Sequence, residues 1–331
     1  KFIRITKITE IVVMLLVCVA FYFSSLTMLM AIIFLMGTQS AFFGPVKFSI
    51  LPELVRWADH SGEKQFNLEK ANGSVEMGTF LAILLGNIVG CAIMKLEGPQ
   101  ITLVSLIFPS LAILGFLAST QIKLLPGGIQ NLRASAIEHR SIWKVIANDG
   151  VQMLNFSLIT WFWFLALIIM TILPGRCRDY FGQDENMLMI LNAVTSVGIG
   201  LGSFISGTFS ETLYKRNIPT MLRALQAGAL LLLASSNLII FTIGLLCASF
   251  LAGFDIVRLF TRMLHRVADN QRSQIVAASS VITSGAMFIS AGLCAAAKNH
   301  ITYVLLALGV GQAIFTMLGY KQERPCDRTQ R

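Results

Sequence analysis

Ten long apolar stretches alternate along this chain with short polar connections. A hydrocarbon core of ~30 Å takes roughly 20 residues of helix, and the apolar runs have about that length. They predict spans at residues 7–24, 26–45, 74–94, 101–118, 151–173, 187–209, 219–234, 238–257, 274–297 and 301–320. Connections such as Ser24-Ser25 and Ser235-Ser236-Asn237 leave room only for antiparallel neighbours, so helical hairpins are the building unit. Two connections are longer. One covers 51–73; the other covers 121–150 and opens on Leu124-Leu125-Pro126-Gly127-Gly128, a run that breaks any helix. The second predicts a boundary between two units. Residues 1–148 would hold four spans and the central connection, and residues 149–331 would hold six spans.

Charge gives this pattern a direction. Only Lys95, Arg176, Arg178 and Lys298, four of the 26 basic residues, fall on one set of connections; the rest fall on the alternate set. Such a bias marks the cytoplasmic side of a polytopic membrane protein, and it predicts that both chain ends are cytoplasmic. Composition agrees: 55% of residues are hydrophobic and 13% charged, too apolar for a water-soluble domain. The net charge of +9 is spread over short loops and builds no basic face with interleaved aromatics, so nucleic acid is excluded as a partner. Six cysteines without paired or CxxC spacing indicate neither a disulfide framework nor a zinc site. No phosphate-binding loop, HExxH or nucleophile elbow occurs, and no metal or other cofactor is expected.

Several polar residues stand inside or beside the apolar runs. Lys47 follows Gly44-Pro45 at the inner end of the second span, where it either holds an anionic headgroup or snorkels to the interface. Glu76 lies just inside the third span, after Asn72. A carboxylate there must be paired or hydrated, which points to an ion pair with Lys47, a helix-dipole partner or a coupling-proton site. Glu10 admits the same reading. Gln39, Ser40, Asn87, Asn155, Asn192 and Gln226 lie deeper; hydrogen bonds between helices are their plain role, and lining a solute path is the other. Asp255 and Arg258, three apart, fit a pair on one helix. Gly198, Gly200, Gly202 and Gly207, with Ser203 and Ser206, form a small-residue face suited to close helix contact, and Phe156, Trp161, Phe162, Trp163 and Phe164 crowd the fifth span.

The segment GTQSAFFGPVKFSILPEL at 37–54, followed by KANGSVEMGTFLAILLGNIVG at 70–90, resembles the lysophospholipid transporter branch of the major facilitator superfamily. It is most similar to the transporter part of bacterial fusions with an acyl-ACP synthetase and acylglycerophosphoethanolamine acyltransferase. TWFWFLALIIMTILP at 160–174 and DNQRSQIVAA at 269–278 extend the likeness. The resemblance implies an all-α, multi-pass helical bundle in the bacterial inner membrane and a secondary transporter that passes a lysophospholipid inward. Lys47, Glu76, Gln39, Ser40, Asn72 and Asn192 become the substrate or coupling candidates. It also implies a fold lacking its first two helices, with Lys1, Arg4 and Lys7 as the end of a cytoplasmic loop. The chain departs from the family at GFDIVRLF, 253–260, where an apolar stretch is usual and Asp255 and Arg258 stand here. The acyltransferase itself needs a His with an Asp five residues on. His265 has Asp269 at four, so acylation would belong to a fused or associated partner and this chain is not expected to be an enzyme. Proton-coupled efflux of a drug or other amphiphile, and a truncated membrane anchor for that enzyme, are the competing expectations.

Overall fold

Helices form where the apolar runs are, and the computed structural model describes residues 2–60, 67–94, 100–122, 142–144, 146–181, 185–209, 218–268, 271–297 and 300–323. In chain order the helices are α1 (Phe2–Tyr22), α2 (Leu26–Ser49), α3 (Leu51–His60), α4 (Leu68–Met94), α5 (Gln100–Thr120) and α6 (Gly150–Tyr180). They continue as α7 (Glu185–Thr208), α8 (Ile218–Leu232), α9 (Leu238–His265), α10 (Arg272–Ala296) and α11 (Ile301–Glu323). Among the described residues there is no strand, and nine helices are long and apolar enough to cross a membrane. The chain is a multi-pass membrane protein. The expected span at 219–234 is present as α8, but with 15 residues it is shorter than the other spanning helices; at ~1.5 Å per residue it extends only about 22 Å.

Two sequence expectations change. The connection 51–73 is largely helical: α3 carries Pro52 in its first turn, where a missing N–H costs nothing, and Asn67 begins α4 by accepting from Lys70 N at 2.8 Å. Its polar residues hid it from a search for apolar runs. Two helices also run beyond the bounds expected of their spans, α2 past Pro45 and α6 past Pro174. Neighbouring helices and side chains can re-satisfy the backbone group that a proline frees in a membrane. The breaker run at 124–128 and Asp269 lie outside the described residues.

The short turns are as expected. Ser24 is left-handed (φ 49°) between α1 and α2, and Asn237 caps α9 by accepting from Ile239 N and Ile240 N. Asp149 caps α6 in the same way and also accepts from Arg266, at 2.8 Å, which ties the start of α6 to the end of α9. Partial burial works against its charge, but the Arg266 guanidinium and the two cap N–H groups outweigh it and hold the Asp149 carboxyl below its ordinary range.

α7 is the centre of the packing, seated on α9 along one side and on α4 along the other. Its glycine face makes this possible. A Cβ on Gly202 would lie 2.0 Å from Phe250 O, and one on Gly73 of α4 would lie 2.7 Å from Ser203 O. At that approach Ser203 and Ser206 donate to the Gly253 and Phe254 carbonyls of α9, at 3.1 and 2.7 Å. One apolar cluster joins Leu51, Leu68 and Phe80 to Ile159, Ile256 and Met263, so the helices before and after the central connection share a core. A second cluster, around Leu173, Leu191 and Leu245, belongs to the later helices alone.

Candidate functional site

Contacts between the earlier and later helices gather at one end of the molecule. Gly73 meets Gly207, Asn72 Nδ2 donates to Thr261 Oγ1 at 2.9 Å, and Phe48 stacks on Phe260 with ring centroids 4.7 Å apart. These residues sit at the ends of α2, α4, α7 and α9 that adjoin the basic connections. Farther along, a cavity of about 290 Å³ lies mainly among the later helices and reaches α4. Phe80 and Ile83 of α4 form one wall; Phe162, Thr195, Ala248 and Met287 are among the residues of α6, α7, α9 and α10 opposite.

Among the described residues, no charged side chain lines this cavity. Its polar side chains are Thr195, which donates to Leu191 O at 2.9 Å, Gln226, which accepts from Gln312 Nε2 at 2.7 Å, and Ser196 and Ser249. Gln312 in turn accepts from Trp161 Nε1 at 2.6 Å, completing a chain across α8, α11 and α6. Phe162, Leu165, Gln226 and Ala252 also wall a second cavity of about 20 Å³, which Asp255 and Gln312 reach. That is room for about one water among polar groups.

Asp255 belongs to a buried ionic cluster. Arg223 Nε of α8 donates to its Oδ2 at 2.8 Å, and Arg258 Nε lies 3.4 Å from its Oδ1. The arginine side chains are 1% and 7% exposed. The helical pair Asp255–Arg258 was expected; Arg223 had been counted with the loop charges. A signal was present, because Arg223 and Gln226 lie one turn apart within an apolar run, and a cation there demands a partner. Arg176 is a second case. Far from lying in a loop, it is buried in α6, donates to Leu233 O and Ala234 O just past the end of α8, and covers the Tyr180 ring at 4.8 Å.

The sequence candidates in the earlier helices are spread more widely. Lys47 and Glu76 are close enough for their charges to interact, but the direct ion pair expected of them is absent: Lys47 Nζ donates to Thr79 Oγ1 at 2.7 Å, one turn along α4 from Glu76. Glu76 is buried. Glu10 pairs instead with Lys7, at 2.7 Å, and this pair shares a cavity of about 190 Å³ with Gln39 and Ser40. Gln39 also donates to Thr6 O at 3.4 Å. Asn72 is buried in the contact with Thr261, and Asn192 is half-buried outside the cavities described. Asn87 is exposed.

The arrangement of helices is similar to that of solved transporters. The human organic anion transporter TETRAN superposes with a TM-score of 0.64 at 13% identity, over 96% of this chain and 75% of that one. The Escherichia coli fucose:proton symporter superposes with 0.66 at 11% identity, over 97% and 83%. The chain has the major facilitator fold.

No family model matches the sequence. Curated relatives of this chain include lysophospholipid transporters of Yersinia enterocolitica, 25% identical over 199 residues, and Escherichia fergusonii, 28% identical over 203. Each alignment covers 60% of this chain, with 46% and 47% of the relatives, so the chain spans about half the length of the curated relatives it matches.

Proposed function

We propose that this chain works as a secondary transporter that carries a lysophospholipid, a polar headgroup on a single acyl tail, across the bacterial inner membrane by alternating access. The observation that carries the reading is the cavity walled mainly by the later helices, with Phe80 and Ile83 of α4 at its side, beside contacts between α4, α7 and α9 at the basic end. The likeness to lysophospholipid transporters supplies the solute class. With the basic connections in the cytoplasm, the closed end faces inward and the cavity belongs to an outward-facing state. Residues 1–148 and 149–331 would be the rocking units, with the Gly73–Gly207 crossing and the Asn72–Thr261 contact parting when the inner side opens. Lys47, beside Gln39 and Ser40 on α2, would meet the phosphate, and Asn192 would face the path in the inward-open state. An acyltransferase, fused or associated, would consume the product.

Uptake of labelled lysophosphatidylethanolamine by cells expressing the chain, compared with a vector control, tests this. Uptake several-fold above the control is expected; uptake at the control level removes the proposal. Glu76, a buried carboxylate on a spanning helix, favours a second reading in which a proton drives efflux of an amphiphile. In that case a cationic dye would leave the cells faster than from controls, and dissipating the proton gradient would abolish the difference.

A further inference from the structure

We infer that the small cavity beside Asp255 is a subsite for one hydroxyl group of the solute, held between the Gln226 amide and the Asp255 carboxylate. This rests on the proposed transport of lysophospholipid, whose glycerol keeps one free hydroxyl. The hydrogen-bond chain across α6, α11 and α8 fixes which way each amide points. An indole N–H can only donate, so Trp161 Nε1 holds the Gln312 carbonyl oxygen, at 2.6 Å. Gln312 must then present its NH2 to Gln226, and Gln226 answers with its oxygen, at 2.7 Å. The Gln226 NH2 is the open end of this relay: among the described residues it donates to no acceptor. Gln226 is 6% exposed and lines both the small cavity and the main one. A donor so placed costs free energy until an acceptor meets it.

That acceptor must also suit Asp255, which lines the same small cavity and, as a carboxylate, only accepts. At about 20 Å³ the space takes a group of roughly one heavy atom. A phosphate is too large, and an ester oxygen brings no proton for Asp255. An ammonium has no lone pair for the Gln226 N–H. A hydroxyl has both a lone pair and a proton, so it accepts from Gln226 and donates to Asp255 in one place. Water has the same chemistry, and a solute hydroxyl can take over its bonds without leaving either protein group unmet. Phe162, Leu165, Gln226 and Ala252 wall both cavities, so a solute in the larger one lies beside the subsite. Gln226 is then a binding residue, and Gln312 and Trp161 position it.

The test is uptake into proteoliposomes that hold the full chain. Palmitoyl lysophosphatidylethanolamine is compared with its deoxy analogue, in which hydrogen replaces the free hydroxyl, and with the methyl ether of that hydroxyl. All three carry the same tail and headgroup, so their rate ratios report the hydroxyl alone. The unaltered protein is expected to take up the hydroxyl form about tenfold faster than either analogue at limiting concentration, a ~1.4 kcal/mol discrimination. Gln226→Leu removes the donor and is expected to bring the ratios close to one, chiefly by slowing the hydroxyl form. Trp161→Phe keeps Gln226 but releases the relay, so the amides can turn end for end and the ratios are expected to fall several-fold. A variant that merely folds less well slows all three solutes together and leaves the ratios alone. Equal uptake of the three by the unaltered protein overturns the subsite, with water as the occupant of the cavity, and leaves the transport reading standing. A preference for the hydroxyl form that both variants keep in full overturns it as well, because another group is then reading the hydroxyl. No uptake of any of the three by the unaltered protein overturns both.

Discussion

Gly202→Ala is expected to destabilise the protein more than any other single methyl addition along α7. In an unhindered helix the change would help by ~1 kcal/mol, since alanine is the better helix former. Here the new Cβ would lie 2.0 Å from Phe250 O and 2.9 Å from Phe254 N. Both are backbone atoms of α9, so no rotamer change makes room. From the other side, a Cβ on Gly253 would lie 2.2 Å from Ile199 O, which leaves α9 nowhere to slide. The helices must separate, and the Ser203 and Ser206 hydrogen bonds to α9 stretch with them. Overpacking of this kind costs ~3 kcal/mol or more, and a net loss of about 2 kcal/mol remains after the helix gain. Thermal unfolding in detergent, compared with Gly37→Ala, checks it, because a Cβ on Gly37 meets nothing within 4 Å. Gly202→Ala should melt well below Gly37→Ala. Equal midpoints would show that α7 and α9 are not in this contact.

The second large effect is expected at Asp255. Its carboxylate serves Arg223 and Arg258, so Asp255→Ala takes the same partner from two buried guanidinium groups. Removing one member of a buried ion pair typically costs ~3–5 kcal/mol, because the desolvated charge left behind keeps its burial penalty. The loss should exceed that of Asp149→Ala, whose partner Arg266 is a third exposed and screened by water. Replacing a whole pair with apolar groups of similar size is often close to neutral. Arg223→Met together with Asp255→Leu should therefore recover a large part of what Asp255→Ala loses. A single variant as stable as the unaltered protein would mean that the cluster is hydrated and contributes nothing to the packing of α8 on α9.

The spans were legible because a bilayer makes length and apolarity visible in one dimension: ten apolar runs became helices, and the glycine face of α7 was found where its spacing placed it. Their ends were less legible. The second and fifth spans run on past Pro45 and Pro174, which the membrane tolerates, and α3 was hidden by its polar residues. Site residues were legible only as single polar positions. An ion pair of Glu76 with Lys47 was one of three readings open to that carboxylate, resting on depth along adjacent segments; depth carries no rotational angle, and Lys47 reaches Thr79. Arg176 and Arg223 were given to loops by a rule that counts charge near span ends; partners on other helices, the carbonyls after α8 and the Asp255 carboxylate, hold them inside. The main cavity lies among Phe, Leu, Ala and Met residues that look like any packed core in one dimension. Only the crossing of α4 with the later helices reveals the space between them.

The proposed alternating access requires the end where Asn72 meets Thr261 to part in every cycle. Their side chains lie 2.9 Å apart across α4 and α9, so Asn72→Cys with Thr261→Cys, in a chain whose native cysteines are replaced, provides a reducible lock. Lysophospholipid uptake into proteoliposomes should stop when the pair is oxidised and resume on reduction, with each single variant indifferent to both treatments. Uptake that continues at full rate with the disulfide formed would contradict the account, because the solute would then be crossing without the inner end opening.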